Sequence, residues 1–204
     1  MSSMENGTQS PTRRRLTRDD RLRQLLDVAW RIIREEGTEA LTLGHLSERA
    51  GVTKPVVYDH FTTRPGLLTV LYHDFDDRQT VLMDKALAES QPTLRDRARV
   101  IASAYVQCVL LQGKEVSGIS AALAGSPELE KVKRECETEL IDKCRNILAP
   151  FAGTTGITMA GLWGMFGAAE ALSRAAAADD ITAAQAEDEI QQTIVSMVQR
   201  TAGQ

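Results

Sequence analysis

Residues 42–61, TLGHLSERAGVTKPVVYDHF, gather side chains suited to touching a charged, hydrogen-bonding partner. Lys54 can reach a base edge or a phosphate, and the Tyr58 hydroxyl can hydrogen-bond a phosphate. Pro55 and Val56 offer apolar contact, for instance to a thymine methyl. Thr42 and Thr53 stand where two short helices would begin. Their hydroxyls and the unpaired amides of a helix N-terminus suit phosphate oxygens. Upstream, Arg13, Arg14 and Arg15 form a basic run that can lie along a duplex or enter a minor groove. The chemistry on offer is recognition of double-stranded DNA rather than bond making.

These groups need elements that aim them, and the same stretch supplies them. Thr42 is a helix cap for residues 43–50, and Gly51 stops that helix, since glycine accepts the left-handed backbone of the turn. Thr53 caps a second helix with Pro55 in its first turn, where the missing N–H costs nothing. Leu46, Ala50, Val52 and Val57 are placed to lock both short helices onto an earlier one. Small Ser47 and Ala50 let the helices cross closely. The earlier helix carries Leu22, Leu25, Leu26, Ala29, Ile32 and Ile33 at helical spacing, with Thr17 and Asp20 as a capping pair and Gly37 at its end. The pattern is a helix-turn-helix whose second helix presents its N-terminal residues to a major groove.

The signature Thr42, Leu46, Ala50-Gly51-Val52-Thr53, Val57-Tyr58, His60-Phe61, Arg64 and Leu67-Leu68 resembles the tetracycline-repressor (TetR) family of transcriptional regulators. The motif covers residues 17–72; beyond it the likeness is in helix number and length. Ser47 stands where alanine is usual, and Arg64-Pro65 where Lys-Glu is common. The resemblance implies that His60 sits near the DNA backbone and that Arg64 matches the family's phosphate-clamping lysine. It also implies a homodimer, a palindromic operator and a second domain that binds a small-molecule effector. A repressor released by that effector is expected.

Charge is divided in a way that fits two jobs. Of 24 Lys+Arg and 28 Asp+Glu, residues 1–65 hold 11 and 9. The front is therefore net +2 and the remainder net −6, which the total of −4 conceals. The expected organisation is a disordered basic tail over 1–16, a DNA-binding domain over 17–64 and an effector-binding, dimerising domain over 65–204. The fold class is all-α, with about nine helices and no alternating strand pattern. Arg64-Pro65 opens a long helix through Leu68, Leu71, Tyr72, Phe75 and Leu82, and Gly113 and Gly118 are expected to break up the next. Ser126-Pro127-Glu128 is a strong helix start. Residues 157–178 form an apolar helix with Gly161, Gly164 and Gly167, which pairs with a helix over 183–200 as half of a four-helix dimer interface.

The effector cavity is expected between helices, lined by Tyr105, Cys108, Gln112, Met159, Trp163, Phe166 and Glu170. His73, Asp74, Asp76 and Asp77 read as a solvated helix face rather than a metal site. Cys136 and Cys144 lie two turns apart on one helix, too far to bridge. With Cys108 they read as buried thiols of a reducing, cytoplasmic compartment. The apolar run from Met159 to Ala169 is about half a membrane span. The sequence has no cofactor motif, no metal-ligand pattern and no catalytic constellation, so no cofactor and no enzyme are expected. Two rival readings stand beside the main one. One is a thiol-based redox switch on the same reader; the other is a helical ligand-binding protein or enzyme with an incidental helix-turn-helix.

Overall fold

The computed structural model describes residues 16–154 and 156–202, without the side chains of 112–115 and 202. The Arg13–Arg15 run, most of the 1–16 tail and the Gln112 side chain therefore lie outside the described residues. Nine α-helices and no strand are found among those described. They are α1 (Arg18–Glu36), α2 (Leu43–Ala50), α3 (Lys54–Phe61), α4 (Arg64–Glu89), α5 (Leu94–Glu115), α6 (Ser117–Ala122), α7 (Pro127–Leu148), α8 (Met159–Ala177) and α9 (Ala183–Ala202).

Local chemistry accounts for most of the boundaries. The Thr17 hydroxyl accepts from the Asp20 amide at 3.1 Å and donates to the Asp20 carboxylate at 2.7 Å, starting α1. Thr42 accepts from the His45 amide at 3.1 Å and starts α2. Gly51, at φ 64° and ψ 36°, ends α2 in the left-handed conformation, and its amide donates back to Glu48. Thr63 caps α4, Ser126 caps α7 and Thr158 caps α8. Thr182 and Gln185 form a reciprocal box ahead of α9.

Two apolar cores organise these helices. The first joins α1, α2, α3 and the first half of α4, and extends to Val116, Ile119, Leu123, Leu129 and Val132. The reader is thus continuous with α6 and the start of α7 across residue 65. The second joins α5, α8, α9 and the later parts of α4 and α7.

The glycines expected to interrupt residues 98–118 act otherwise. α5 runs through Gly113 to Glu115, and the break falls at Val116. Gly118 lies inside α6, where a Cβ would stand 2.2 Å from the Thr38 hydroxyl oxygen. It is there for close approach, letting α6 press on the short 3-10 turn Thr38–Ala40 between α1 and α2.

A second tie joins reader and body. The Trp30 indole N–H of α1 donates to the Asp74 carboxylate of α4 at 2.6 Å. Arg78 bonds the same carboxylate at 2.8 Å and lies 4.6 Å over the Trp30 ring. Asp74 is thus not part of a purely solvated face. This contact ties α4 directly to α1.

Candidate functional site

The recognition helix is built so that one face is core and the other is bare. Val57 and Phe61 are buried, and between them Tyr58 points outward with 49% of its surface exposed. Thr53, Lys54 and Pro55 are exposed with it, while Val56 and His60 are half-buried. Thr53 takes the cap position by backbone, yet its hydroxyl makes no capping bond. That oxygen remains available to an outside acceptor or donor. Thr42 spends one lone pair on its cap and keeps its hydroxyl proton to donate. Of the arginines and lysines in α2 and α3, Arg49 is turned away onto Glu35, at 2.7 Å, and Glu36. His45 joins the same cluster at 3.0 Å from Glu36. Lys54 is the exposed cation that remains there.

Arg64 is placed differently from the expected phosphate clamp. Its Nε donates to the Leu41 carbonyl and one Nη to the Thr38 carbonyl, each at 2.9 Å. A planar guanidinium can hold two acceptors at once in a way an ammonium cannot. Arg64 therefore brackets the start of α4 to the turn that leads into α2. Sequence spacing could not reveal this, because the partners are 23 and 26 residues away.

The corner between α3 and α4 is equally tight. Thr62 adopts φ 56°, a costly conformation for a β-branched residue. A Cβ on Gly66 would stand 2.6 Å from the Phe61 carbonyl oxygen. The end of the recognition helix is thereby fixed against α4.

A cavity of about 540 Å³ opens among α4, α5, α7, α8 and α9. Tyr105, Cys108, Phe166 and Glu170 line it, as the sequence suggests. Met159 and Trp163 do not. They face outward at 47% and 46% exposure, although Trp163 leans edge-on against Phe166 at 5.8 Å. Helix α8 is apolar around much of its circumference, so periodicity could not say which apolar residues face in. Asp76, Cys136 and Cys144 also line the cavity and were not anticipated there. Asp76 leaves the solvated face assigned to it because α7 closes over that side of α4. Nearby His73 stands 3.8 Å from Glu135, and no group of three metal-ligating side chains is gathered among the described residues.

Burial dominates the setting of all three thiols. Burial pushes Cys108, Cys136 and Cys144 each up to about 12, with the Asp76 charge adding to the rise at the first two. At neutral pH they are protonated and weakly nucleophilic. Burial, then the neighbouring Glu170, also raises the Tyr105 hydroxyl, so it too stays a neutral donor.

One face of α8 is uncovered. Ala160, Trp163, Gly164, Gly167 and Ala171 are exposed along it. Gly161, on the other side, lets α9 come close: a Cβ there would lie 3.3 Å from Met197. Gly164 and Gly167 have nothing within 4 Å of that position.

Among the described residues no helix is long and apolar enough to cross a membrane. Residues 25–71 match the family model of bacterial regulatory proteins, tetR family. The chain is 41% identical over 64 residues to the HTH-type transcriptional activator FasR of Mycolicibacterium smegmatis, a match covering 31% of this chain and 29% of that protein. The chain thus spans less than a third of that relative's length. Its fold is similar to that of a Rhodococcus sp. RHA1 protein of unknown function, with TM-score 0.68, 20% identity and coverage of 93% and 100% of the two chains. It is also similar to a TetR-family transcriptional regulator from Streptomyces coelicolor, with TM-score 0.59, 16% identity and coverage of 90% and 97%. The family match falls on the helix-turn-helix, residues 25–71, and the structural likeness shows that the same fold runs on through the helices behind it.

Proposed function

We propose that the protein is a homodimeric repressor of transcription that reads a palindromic operator and is released by a small molecule. The observation that carries this is the bare ridge of α3. Thr53, Lys54, Pro55 and Tyr58 project from a helix whose opposite side is locked by Val57 and Phe61. Such a ridge fits a major groove, with phosphates held at its rim by Tyr58, Thr42, Thr53 and His60. Val56 adds apolar contact, and Arg64 positions the reader from behind.

Residues 17–64 do the reading in this account, and residues 65–204 bind the effector and dimerise. The uncovered α8 face supports dimerisation, since apolar and small residues there leave room for a partner helix. A dimer would set two α3 ridges in successive major grooves, about one helical turn apart. A dimer covering its operator occludes polymerase, which makes repression the outcome of binding. The cavity supports control by a ligand, which acts only through different affinities for the DNA-fitting and non-fitting states. Because α4 lines the cavity and is tied to α1 by Trp30, the two sites share an element. The protein works in the cytoplasm, without catalysis and without a cofactor. The redox alternative needs a thiolate, which burial opposes at all three cysteines and the Asp76 charge opposes further at Cys108 and Cys136.

Lys54→Ala and Tyr58→Phe test the ridge. Each should weaken operator binding about tenfold, the scale of one charge-assisted phosphate contact, and Lys54→Ala should lower the slope of log affinity against log salt by about 1. Fluorescence anisotropy at several salt concentrations reads both quantities. Unchanged affinity and sequence preference in both variants would remove α3 from the interface.

A further inference from the structure

The reading of the cavity as an effector site leaves open what kind of molecule it takes, and the lining narrows this. Six carboxylates border it, Asp76, Asp77, Glu130, Glu137, Glu139 and Glu170, against three cations. Two of those cations are paired, one with an acid outside the lining and one with Glu170 within it, and the acids stay in excess. Lys143 pairs with Asp84 at 2.5 Å, and Arg174 with Glu170 at 3.4 Å. An anionic guest would therefore meet a net negative wall. The floor is apolar, with Met83, Ile101 and Met165 buried. Tyr105 and Phe166 meet edge to face at 5.7 Å beside it. Aromatic rings attract cations through their faces, and more strongly where water is excluded.

Of the two carboxylates that α4 contributes, Asp76 and Asp77, Asp76 is the one set deeper among these groups. It is half-buried and takes a hydrogen bond from the Cys136 thiol. Burial, together with the repulsion of Asp77 and Glu139, raises its affinity for a proton. A guest carrying positive charge would relieve that repulsion, while a neutral or anionic one would not.

We propose that the cavity takes an organic cation with an apolar, drug-sized body, its charge beside Asp76 and its body against Tyr105 and Phe166. This rests on the effector reading. The volume, about 540 Å³, lies within the range of small-molecule sites. The exposed Glu139 and Glu170 carboxylates would draw the cation toward the opening before it reaches Asp76.

Two probes of equal size and shape and opposite charge separate the possibilities: tetraphenylphosphonium and tetraphenylborate. Calorimetric titration of the full chain should show the phosphonium binding at least about tenfold more tightly than the borate. Asp76→Asn, which keeps the shape of the side chain, should weaken the phosphonium about tenfold and leave the borate no weaker. Glu170→Gln provides a second variant and should weaken the phosphonium severalfold, since this carboxylate lies nearer the surface. Borate binding as tight as phosphonium, or phosphonium binding unchanged in both variants, overturns the proposal. Operator release is read on the same samples by anisotropy. Phosphonium that binds in an Asp76-dependent way yet leaves the operator bound supports the cation site and defeats the effector reading. A protein that holds its operator and binds no phosphonium defeats the cation site alone.

Discussion

Gly164→Arg is expected to give a folded monomer with at least about 100-fold weaker operator binding, the scale lost when two linked contacts become one. The position has nothing within 4 Å of where a Cβ would be, so the protomer accepts the longer side chain. Arginine is also a better helix former than glycine, and α8 should keep its helicity. What the arginine obstructs is the uncovered stripe of Ala160, Trp163, Gly167 and Ala171, where a partner helix would pack. Gly161→Arg makes the contrasting control. There the new side chain meets Met197 at 3.3 Å, and the α8–α9 contact inside one protomer should be damaged. Sedimentation gives the mass, circular dichroism the fold and anisotropy the affinity. If Gly164→Arg stays dimeric with full affinity, dimerisation does not use α8.

Arg64→Ala should cost the fold about 3 kcal/mol, because two charge-assisted hydrogen bonds to backbone carbonyls are lost together. For a chain of this length that corresponds to a melting point lower by about 6–12 °C. The carbonyls of Leu41 and Thr38 would lose the donors now 2.9 Å away, and the turn leading into α2 would loosen. Operator binding should fall as well, through misplacement of the reader. Arg64→Lys should recover little, since a single ammonium cannot replace the fork that spans both carbonyls. A phosphate clamp behaves otherwise: its loss leaves the melting point alone and lowers the salt slope by about 1. A melting point unchanged by Arg64→Ala would show that the bracket contributes nothing to stability.

These two residues also show where sequence reading succeeds and where it stops. Caps and stops are local signals. Thr17, Thr42 and Gly51 could be placed because a helix end is decided within a few residues. The helix-turn-helix was legible for the same reason, and its core residues Leu46 and Val57 are fully buried. The stripe Leu68, Leu71, Tyr72 and Phe75 marked the inner face of α4, but Leu82, expected in the same stripe, is 58% exposed. The bracket that Arg64 makes was not legible, because it depends on carbonyls brought near only by folding. Gly118 was taken for a helix break when the contact that needs it, Thr38, lies in another element.

The cavity was half legible. Tyr105, Cys108, Phe166 and Glu170 do line it. Met159 and Trp163 do not, since an almost wholly apolar helix carries no polar side to orient it. Asp76 was hidden for the opposite reason: in a run of acids it looked solvated, and only α7 packing against α4 turns it inward. Trp30 was read as nothing in particular, because its partners Asp74 and Arg78 sit on a helix more than 40 residues on.

The central claim, that α3 of a two-fold dimer reads DNA, is tested most directly by selecting bound sequences from a random duplex library with the wild-type protein. A palindrome is expected, its half-sites centred about 10 base pairs apart or a multiple of that. Recovery of sequences with no common motif, or of a motif without two-fold symmetry, would contradict it.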